Sequence, residues 1–147
     1  MDMREIVKYR RCFVCGDENE HGLKARFFYD GEQAVSELRA LESFEGYRGI
    51  YHGGVISAML DEVMIKAILA RDIFAVTAEL TVRYHRPIET GTQLRFVGRV
   101  SEQKGRAYYT VGEVVSEDGV RFASATGKYL EAKPALQELL KNSLEPE

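Results

Sequence analysis

The 147-residue chain has no tryptophan, three prolines and two cysteines, and it shows neither low-complexity runs nor internal repeats. Few prolines and no low-complexity segment argue against long disordered linkers. A formal net charge of −3 excludes general electrostatic attraction to nucleic acid. No segment has the charged, apolar and small-residue order of a signal peptide, so we expect a cytoplasmic protein. The length fits one domain with one sizeable core.

The longest apolar stretch runs from Tyr51 to Asp72 and reads YHGGVISAMLDEVMIKAILARD. Its apolar residues would cover nearly every side of a helix, which is typical of a helix buried all round. Asp61, Glu62 and Lys66 lie inside the stretch and make it too charged to span a membrane. We therefore predict one long central helix wrapped by the rest of the chain.

Short strands are predicted on both sides of this helix. The pair Asp30-Gly31 between residues 24–29 and 33–40 predicts a β-hairpin. Four more strands, at 76–84, 93–100, 107–116 and 120–130, are joined by short turns and predict an antiparallel meander. A short amphipathic helix follows from Pro134.

Strict alternation in the strand at 76–84 predicts two opposite faces. The first face carries Val76, Ala78, Leu80, Val82 and Tyr84, and the second carries Thr77, Glu79, Thr81, Arg83 and His85. Because one long helix can cover only one face of a sheet, the sheet must curl around it. The predicted class is α+β, and the uncovered edges and surface predict a dimer or higher oligomer.

The N-terminal arm, residues 1–23, carries the chain's only cysteines as Cys12-x-x-Cys15, with His21 six residues further on. Such a pair is found in zinc sites and in redox motifs. The second half of a zinc ribbon is missing and no βαβ pattern surrounds the pair, so we expect two reduced thiols in a tight turn and no metal. A dimer that assembles four sulfurs from two chains is the open alternative.

Two adjacent carboxylates lie in the middle of the predicted helix. Glu62 has Lys66 at i+4, whereas Asp61 has no charged helical neighbour, and we expect Glu62 to be a solvated or interface charge. A lone carboxylate in apolar company costs stability, and such groups mark functional sites. We interpret Asp61 as a catalytic base or nucleophile, the alternative being that it simply faces solvent.

The sequence His52-Gly53-Gly54 precedes the helix. Glycines here leave the first backbone N–H groups of the helix uncovered, where they and the helix dipole can stabilise an oxyanion. The alternatives are that the glycines only turn the chain and that His52 is an ordinary loop residue. Basic clusters at 83–86 and 104–106 either hold phosphates or are solvated surface. No metal-ligand cluster, phosphate loop or Ser-His-Asp order is apparent.

Three segments resemble the hotdog-fold acyl-CoA thioesterases, and most closely the phenylacetate-degradation branch. GYRGIYHGGVISAMLDE resembles the start of the family's central helix, VTAELTVRYHRPI its following strand, and KGRAYY a basic turn. The resemblance covers roughly residues 44–130. It implies a hotdog domain at residues 24–147, in which a curled antiparallel β-sheet wraps one long central helix, with residues 1–23 outside the shared core.

The resemblance also implies residue roles. Asp61 would be the catalytic carboxylate, Gly54 N–H would bind the thioester oxygen, His52 would help place the thioester, and Thr77 would hold the attacking water or the carboxylate. Arg83, Arg86 and Arg106 would contact coenzyme A phosphates. Sites in this family form between two subunits, which implies a homodimer or homotetramer.

We therefore expect an enzyme that hydrolyses an acyl-CoA thioester and needs no cofactor beyond the coenzyme A of its substrate. The partner is this small molecule, with no nucleic acid and no membrane. One alternative is a non-catalytic protein that binds an acyl group or coenzyme A on the same fold. Another is a hotdog dehydratase, but that chemistry would place a histidine on the helix.

Overall fold

The computed structural model describes residues 3–146. These residues form seven β-strands and two α-helices, with a short 3-10 turn at Glu42–Phe44. The strands are β1 (Arg4–Glu5), β2 (Phe28–Tyr29), β3 (Gln33–Arg39), β4 (Ala75–Tyr84), β5 (Gln93–Lys104), β6 (Ala107–Ser116) and β7 (Arg121–Glu131). The helices are α1 (Gly53–Leu69) and α2 (Pro134–Asn142). No described helix combines the length and the apolar character needed to cross a membrane.

All seven strands belong to one antiparallel sheet in the order β1-β2-β3-β5-β6-β7-β4. The predicted hairpin is confirmed as β2–β3, with Gly31 in its turn at a φ of 101°. The predicted meander holds only for β5, β6 and β7. The first strand after the helix, β4, pairs with β7 instead of β5, because the segment after Pro87 crosses to the other side and β3 takes the place beside β5.

The central helix α1 is buried as the sequence predicts. Its 17 residues span roughly 25 Å at the usual rise of an α-helix. The curled sheet wraps this helix, which confirms the α+β prediction. Nine of the helical residues are buried: Ile56, Met59, Leu60, Val63, Met64, Lys66, Ala67, Ile68 and Leu69.

Two glycines in the sheet allow α1 to lie directly against it. Gly98 of β5 and Gly112 of β6 are directly opposite each other in the register. A Cβ at Gly98 would lie 2.7 Å from the carbonyl oxygen of Val63, and one at Gly112 would lie 3.0 Å from the Met64 side chain. The helix backbone therefore packs at a distance that only a residue without a side chain permits.

A β-bulge interrupts β4 near its start. Thr77 lies opposite Tyr129 of β7, whereas Glu79 lies opposite the adjacent residue Lys128, so Ala78 is the extra residue. Directly opposed residues of an antiparallel pair share a face. The bulge therefore turns Thr77 toward the helix, on the same face as Leu80, and the strict alternation predicted for this strand is wrong at this point.

The N-terminal arm packs into the same core. Its strand β1 pairs with β2, and Ile6 and Cys15 are fully buried with the residues around α1. The predicted C-terminal helix is present as α2, and Tyr9 forms an isolated bridge with Leu144 just beyond it. The arm and the C-terminal segment thus lie together beside the central helix.

Substitution of Gly98 by alanine should destabilise the protein by about 1–3 kcal/mol, because the new Cβ would press on the rigid backbone of α1. The matched control is Gly112→Ala, whose Cβ mainly meets the flexible end of Met64 and should cost less. Urea denaturation of both variants measures the difference. Equal costs would contradict the close backbone packing at Gly98.

Candidate functional site

Asp61 lies in the wall of a cleft of about 640 Å³, which we call the Asp61 cleft. Its Oδ1 accepts hydrogen bonds from the Thr77 hydroxyl at 3.0 Å and from the Tyr129 hydroxyl at 2.8 Å. Among residues 3–146, no group donates to its other oxygen, Oδ2. The carboxylate is therefore fixed through one oxygen and leaves the second available.

Three elements position this carboxylate. The middle of α1 carries Asp61, the bulge in β4 turns Thr77 toward it, and β7 brings in Tyr129, which is fully buried. Burial, and then the charge of Asp61, raise the pKa of Tyr129, so its hydroxyl stays protonated and donates. As the sequence indicates, Asp61 has no charged helical neighbour, and both of its partners come instead from the sheet.

Of the two surroundings expected for Glu62, a solvated position or an interface, the solvated position is wrong. Its side chain is only 13% exposed, and one carboxylate oxygen lies 3.7 Å from the Lys66 ammonium. Burial, and then the charge of the Cys12 thiolate, raise the pKa of Glu62 to about 7. The i+4 pair with Lys66 is present, but it turns inward because the N-terminal arm covers this side of α1.

Glu62 belongs to a buried cluster, the Cys12 cluster, formed by Cys12, Cys15, Glu62 and Lys66. Cys12 Sγ lies 3.8 Å from a Glu62 oxygen and accepts hydrogen bonds from the N–H groups of Val14 and Cys15. The hydrogen bond from Cys15, followed by those from the two N–H groups, lowers the pKa of the Cys12 thiol. The hydrogen bond to Cys12, together with burial, raises the pKa of the Cys15 thiol. Neither cysteine is in a disulfide, and the two flank a tight turn, which is the turn that the sequence predicts.

The start of α1, at Gly53, lies in a second cleft of about 700 Å³, which we call the His52 cleft. His52 is the N-cap of α1, and its Nδ1 accepts the Gly54 N–H at 2.8 Å. The donor predicted to bind a thioester oxygen is therefore engaged by His52 in this structure. Tyr84 closes the other side, where its hydroxyl donates to the Gly53 carbonyl at 2.8 Å and contacts Ser57.

One chain does not bring Asp61 and the His52 cleft together. The seven residues from Gly54 to Asp61 separate them by roughly 10 Å along the helix axis. They also line different clefts. Within one chain, the start of α1 is therefore not beside Asp61.

The three arginines predicted to hold phosphates are also dispersed. Arg86 is exposed at the His52 cleft. Arg83 lies in a separate groove, with Arg99 and Arg121, and Arg106 donates to the carbonyl of Glu131 at the end of β7. Of the three arginines, only Arg86 lines the same cleft as a predicted catalytic residue.

Sequence reasoning missed Tyr129 and underestimated Lys66 and the cysteines. Tyr129 is one of several tyrosines in strands, and no local pattern marks it as the partner of Asp61. For the cluster a signal did exist, since a Cys-x-x-Cys turn and a Glu-x-x-x-Lys pair both stood in the sequence. Their contact is set by the path of the arm and not by their spacing.

The sequence and the structure are both similar to those of known proteins. The family model described as the thioesterase superfamily matches residues 48–123, so the chain belongs to that superfamily. The match includes the start of α1, Asp61 and Thr77, and it confirms the family that the sequence motifs resemble. An uncharacterized protein of Schizosaccharomyces pombe is 32% identical over 107 residues, covering 69% of this chain and 61% of the relative.

Solved structures share the hotdog fold. A thioesterase superfamily protein matches with a TM-score of 0.78 and 27% identity, covering 83% of this chain and 61% of that protein. The phenylacetic acid degradation protein PaaI of Thermus thermophilus, solved as a mutant, matches with a TM-score of 0.63 and 26% identity. The match covers 68% of this chain and 85% of that protein. A hypothetical thioesterase of Streptococcus pneumoniae, solved with coenzyme A, matches with a TM-score of 0.66 and 17% identity. The match covers 69% of this chain and 79% of that protein. The chain thus spans about 61% of the length of the Schizosaccharomyces pombe relative and 61% of the thioesterase superfamily protein with the TM-score of 0.78.

The hydrogen bond from Tyr129 to Asp61 is testable without any assay of activity. In a double-mutant cycle of Tyr129→Phe and Asp61→Asn, urea denaturation should give a coupling energy of about 0.5–3 kcal/mol, because the two groups are in direct contact. Tyr108→Phe is the matched control, since Tyr108 is buried opposite Tyr129 without a hydrogen bond to Asp61. A second cycle therefore combines Tyr108→Phe with Asp61→Asn and should show a smaller coupling energy. Coupling energies of the same size in the two cycles would contradict the hydrogen bond from Tyr129 to Asp61.

Proposed function

We propose that this chain is a cytoplasmic acyl-CoA thioesterase that hydrolyses its substrate to a free acid and coenzyme A, with Asp61 as the catalytic carboxylate. The observation that carries the proposal is the Asp61 carboxylate in a cleft wall, held through Oδ1 by Thr77 and Tyr129. Membership of the thioesterase superfamily supports the reaction class.

The active site is formed between two copies of the chain. Strand β4 is an edge strand of 10 residues, exposed from Thr77 to Thr81, and such an edge is suited to pairing with another strand. Thr77 and Tyr84 are both on β4, so a partner docked along this strand lies next to both clefts. A symmetric dimer then brings the His52 cleft of one protomer to the Asp61 cleft of its partner.

The reaction takes place at the thioester carbonyl. The Gly54 N–H at the start of α1 polarises the carbonyl oxygen, aided by the positive end of the helix dipole. The substrate oxygen replaces His52 Nδ1 as the acceptor, and His52 is exposed and can rotate without disturbing the core. Asp61 Oδ2 of the other protomer either deprotonates a water that attacks the carbonyl carbon, or attacks that carbon itself. In the first route the proton taken from water passes to the departing coenzyme A sulfur. In the second route coenzyme A leaves as a thiolate that takes a proton from solvent, and water then hydrolyses the acyl–Asp61 anhydride to the free acid.

Thr77 and Tyr129 are positioning residues in this mechanism. Two donors on one carboxylate oxygen restrict rotation of the side chain and direct the other oxygen to the cleft. The coenzyme A phosphates lie toward Arg86 at the His52 cleft, with Arg83 and Arg106 as further candidates from the partner. The structural relative solved with coenzyme A supports this class of ligand.

Two other functions are compatible with the fold. A binding protein would hold the acyl group or coenzyme A and would release no thiol. A dehydratase would require a histidine on the central helix, and α1 contains none. The fixed carboxylate favours hydrolysis over both.

Asp61→Asn should lower kcat/KM by about 10²–10⁴-fold, because the amide can neither attack nor accept a proton. Coenzyme A released from a panel of short, long and aromatic acyl-CoAs is measured by chromatography, which avoids the protein's own thiols. Asp72→Asn makes the same chemical change at an exposed position beyond α1 and should leave turnover unchanged. Turnover by Asp61→Asn near the wild-type level would refute the assignment.

A complementation experiment tests the shared site. Gly54→Leu should block the helix start, and Asp61→Asn removes the carboxylate, so each homodimer is inactive. Random mixing by co-expression should restore about a quarter of wild-type activity, since half of the dimers contain one intact site out of two. No recovery, in a mixture shown to contain heterodimers, would place both groups of the site in one chain.

A further inference from the structure

The Cys12 cluster is not used by the proposed reaction. The turn of the N-terminal arm and the middle of α1 are 50 residues apart in sequence, yet they bring two sulfurs and a carboxylate together. Their ligand atoms all lie within 4.8 Å of one another. Cys12 and Glu62 also line the Asp61 cleft, so the cluster is buried but reachable from it.

We propose that Cys12, Cys15 and Glu62 form a binding site for one thiophilic divalent cation, with Zn²⁺ as the favoured ion. Two thiolates and one carboxylate match the ligands that zinc takes in proteins. Three protein ligands leave a fourth position for water, which is the arrangement of open zinc sites. Because Cys12 and Glu62 line the Asp61 cleft, a water can reach the ion from that side.

The separation between Cys12 and Glu62 suits a tetrahedral ion, and all three ligand atoms lie within 4.8 Å of one another. Zinc at its usual bond lengths would hold a sulfur and a carboxylate oxygen roughly 3.5 Å apart. The separation between Cys12 Sγ and the Glu62 oxygen is 3.8 Å, so a shift of a few tenths of an ångström suffices.

The turn that carries the sulfurs is already rigid. The N–H groups of Val14 and Cys15 donate to Cys12 Sγ at 3.3 and 3.4 Å, as outer-shell donors to a thiolate ligand would. Gly16 N–H donates to the Cys12 carbonyl at 2.8 Å, and a Cβ at Gly16 would lie 2.5 Å from the Cys12 nitrogen. Only glycine therefore fits after Cys15, and the ligands are preorganised.

The charges of the cluster also leave room for a divalent cation. The three ligands carry three negative charges once metal binding has displaced their protons to solvent. Lys66 supplies one positive charge and is held in place, since its Nζ donates to the Val7 carbonyl at 2.6 Å and lies over the rings of Tyr9 and Phe27. A divalent ion brings the site to neutrality, and Lys66, 3.7 Å from Glu62, orients the carboxylate.

The test is a titration of the reduced, full-length protein with Co²⁺, followed by competition with Zn²⁺. We expect one equivalent of Co²⁺, with thiolate-to-cobalt charge-transfer absorption and the visible bands of a tetrahedral ion, both lost on addition of Zn²⁺. Cys12→Ser should weaken binding by more than about 100-fold, beyond the loss typical of an outer-shell change. Glu62→Gln should weaken binding while keeping the charge-transfer band.

His21→Ala is the matched control, because His21 is in the same arm but its side chain is 85% exposed. It should bind Co²⁺ like the wild type. Circular dichroism verifies that each variant is folded, and Cys12, which is less buried than Cys15, gives the decisive substitution. Absence of saturable binding, binding unchanged by Cys12→Ser, or a Cys12–Cys15 disulfide that persists in reductant would overturn the proposal.

Discussion

The close approach of α1 to the sheet is the constraint on which the rest of the structure depends. The facing pair Gly98 and Gly112 removes two side chains where the helix crosses the strands, so the backbone at Val63 rests on β5 itself. Asp61 and Glu62 immediately precede that contact. The depth at which they lie, and the groups they meet, are therefore set by how closely the helix packs.

The two carboxylates at this point of α1 are neighbours in sequence but face different surroundings. Asp61 turns toward the sheet and meets two hydroxyl donors, which fix its orientation. Glu62 turns toward the N-terminal arm and meets a thiol and a buried lysine, where burial raises its pKa to about 7. Residues at successive positions of a helix point about 100° apart, and here that angle separates two kinds of chemistry.

The arrangement of the clefts is the reason for proposing that two copies of the chain form one site. A straight helix holds its N-terminus and its middle at a fixed distance, and no side chain of Asp61's length closes a gap of roughly 10 Å. The exposed edge strand β4, which carries both Thr77 and Tyr84, offers the surface on which a second copy can bridge the gap. In the proposed dimer, completion of the site and assembly of the protein follow from the same geometry.

The sequence by itself determined the central helix, the hairpin and strands β4 to β7, because hydrophobic periodicity and turn residues act over short distances. It also determined the family, and it singled out Asp61 as a carboxylate without a helical counter-charge. The strand order, the bulge that turns Thr77 inward, the hydrogen bond from Tyr129 and the burial of Glu62 were decided only by the tertiary structure. Each of these depends on contacts between segments far apart in the chain, and such contacts follow from packing around the helix and leave no local pattern.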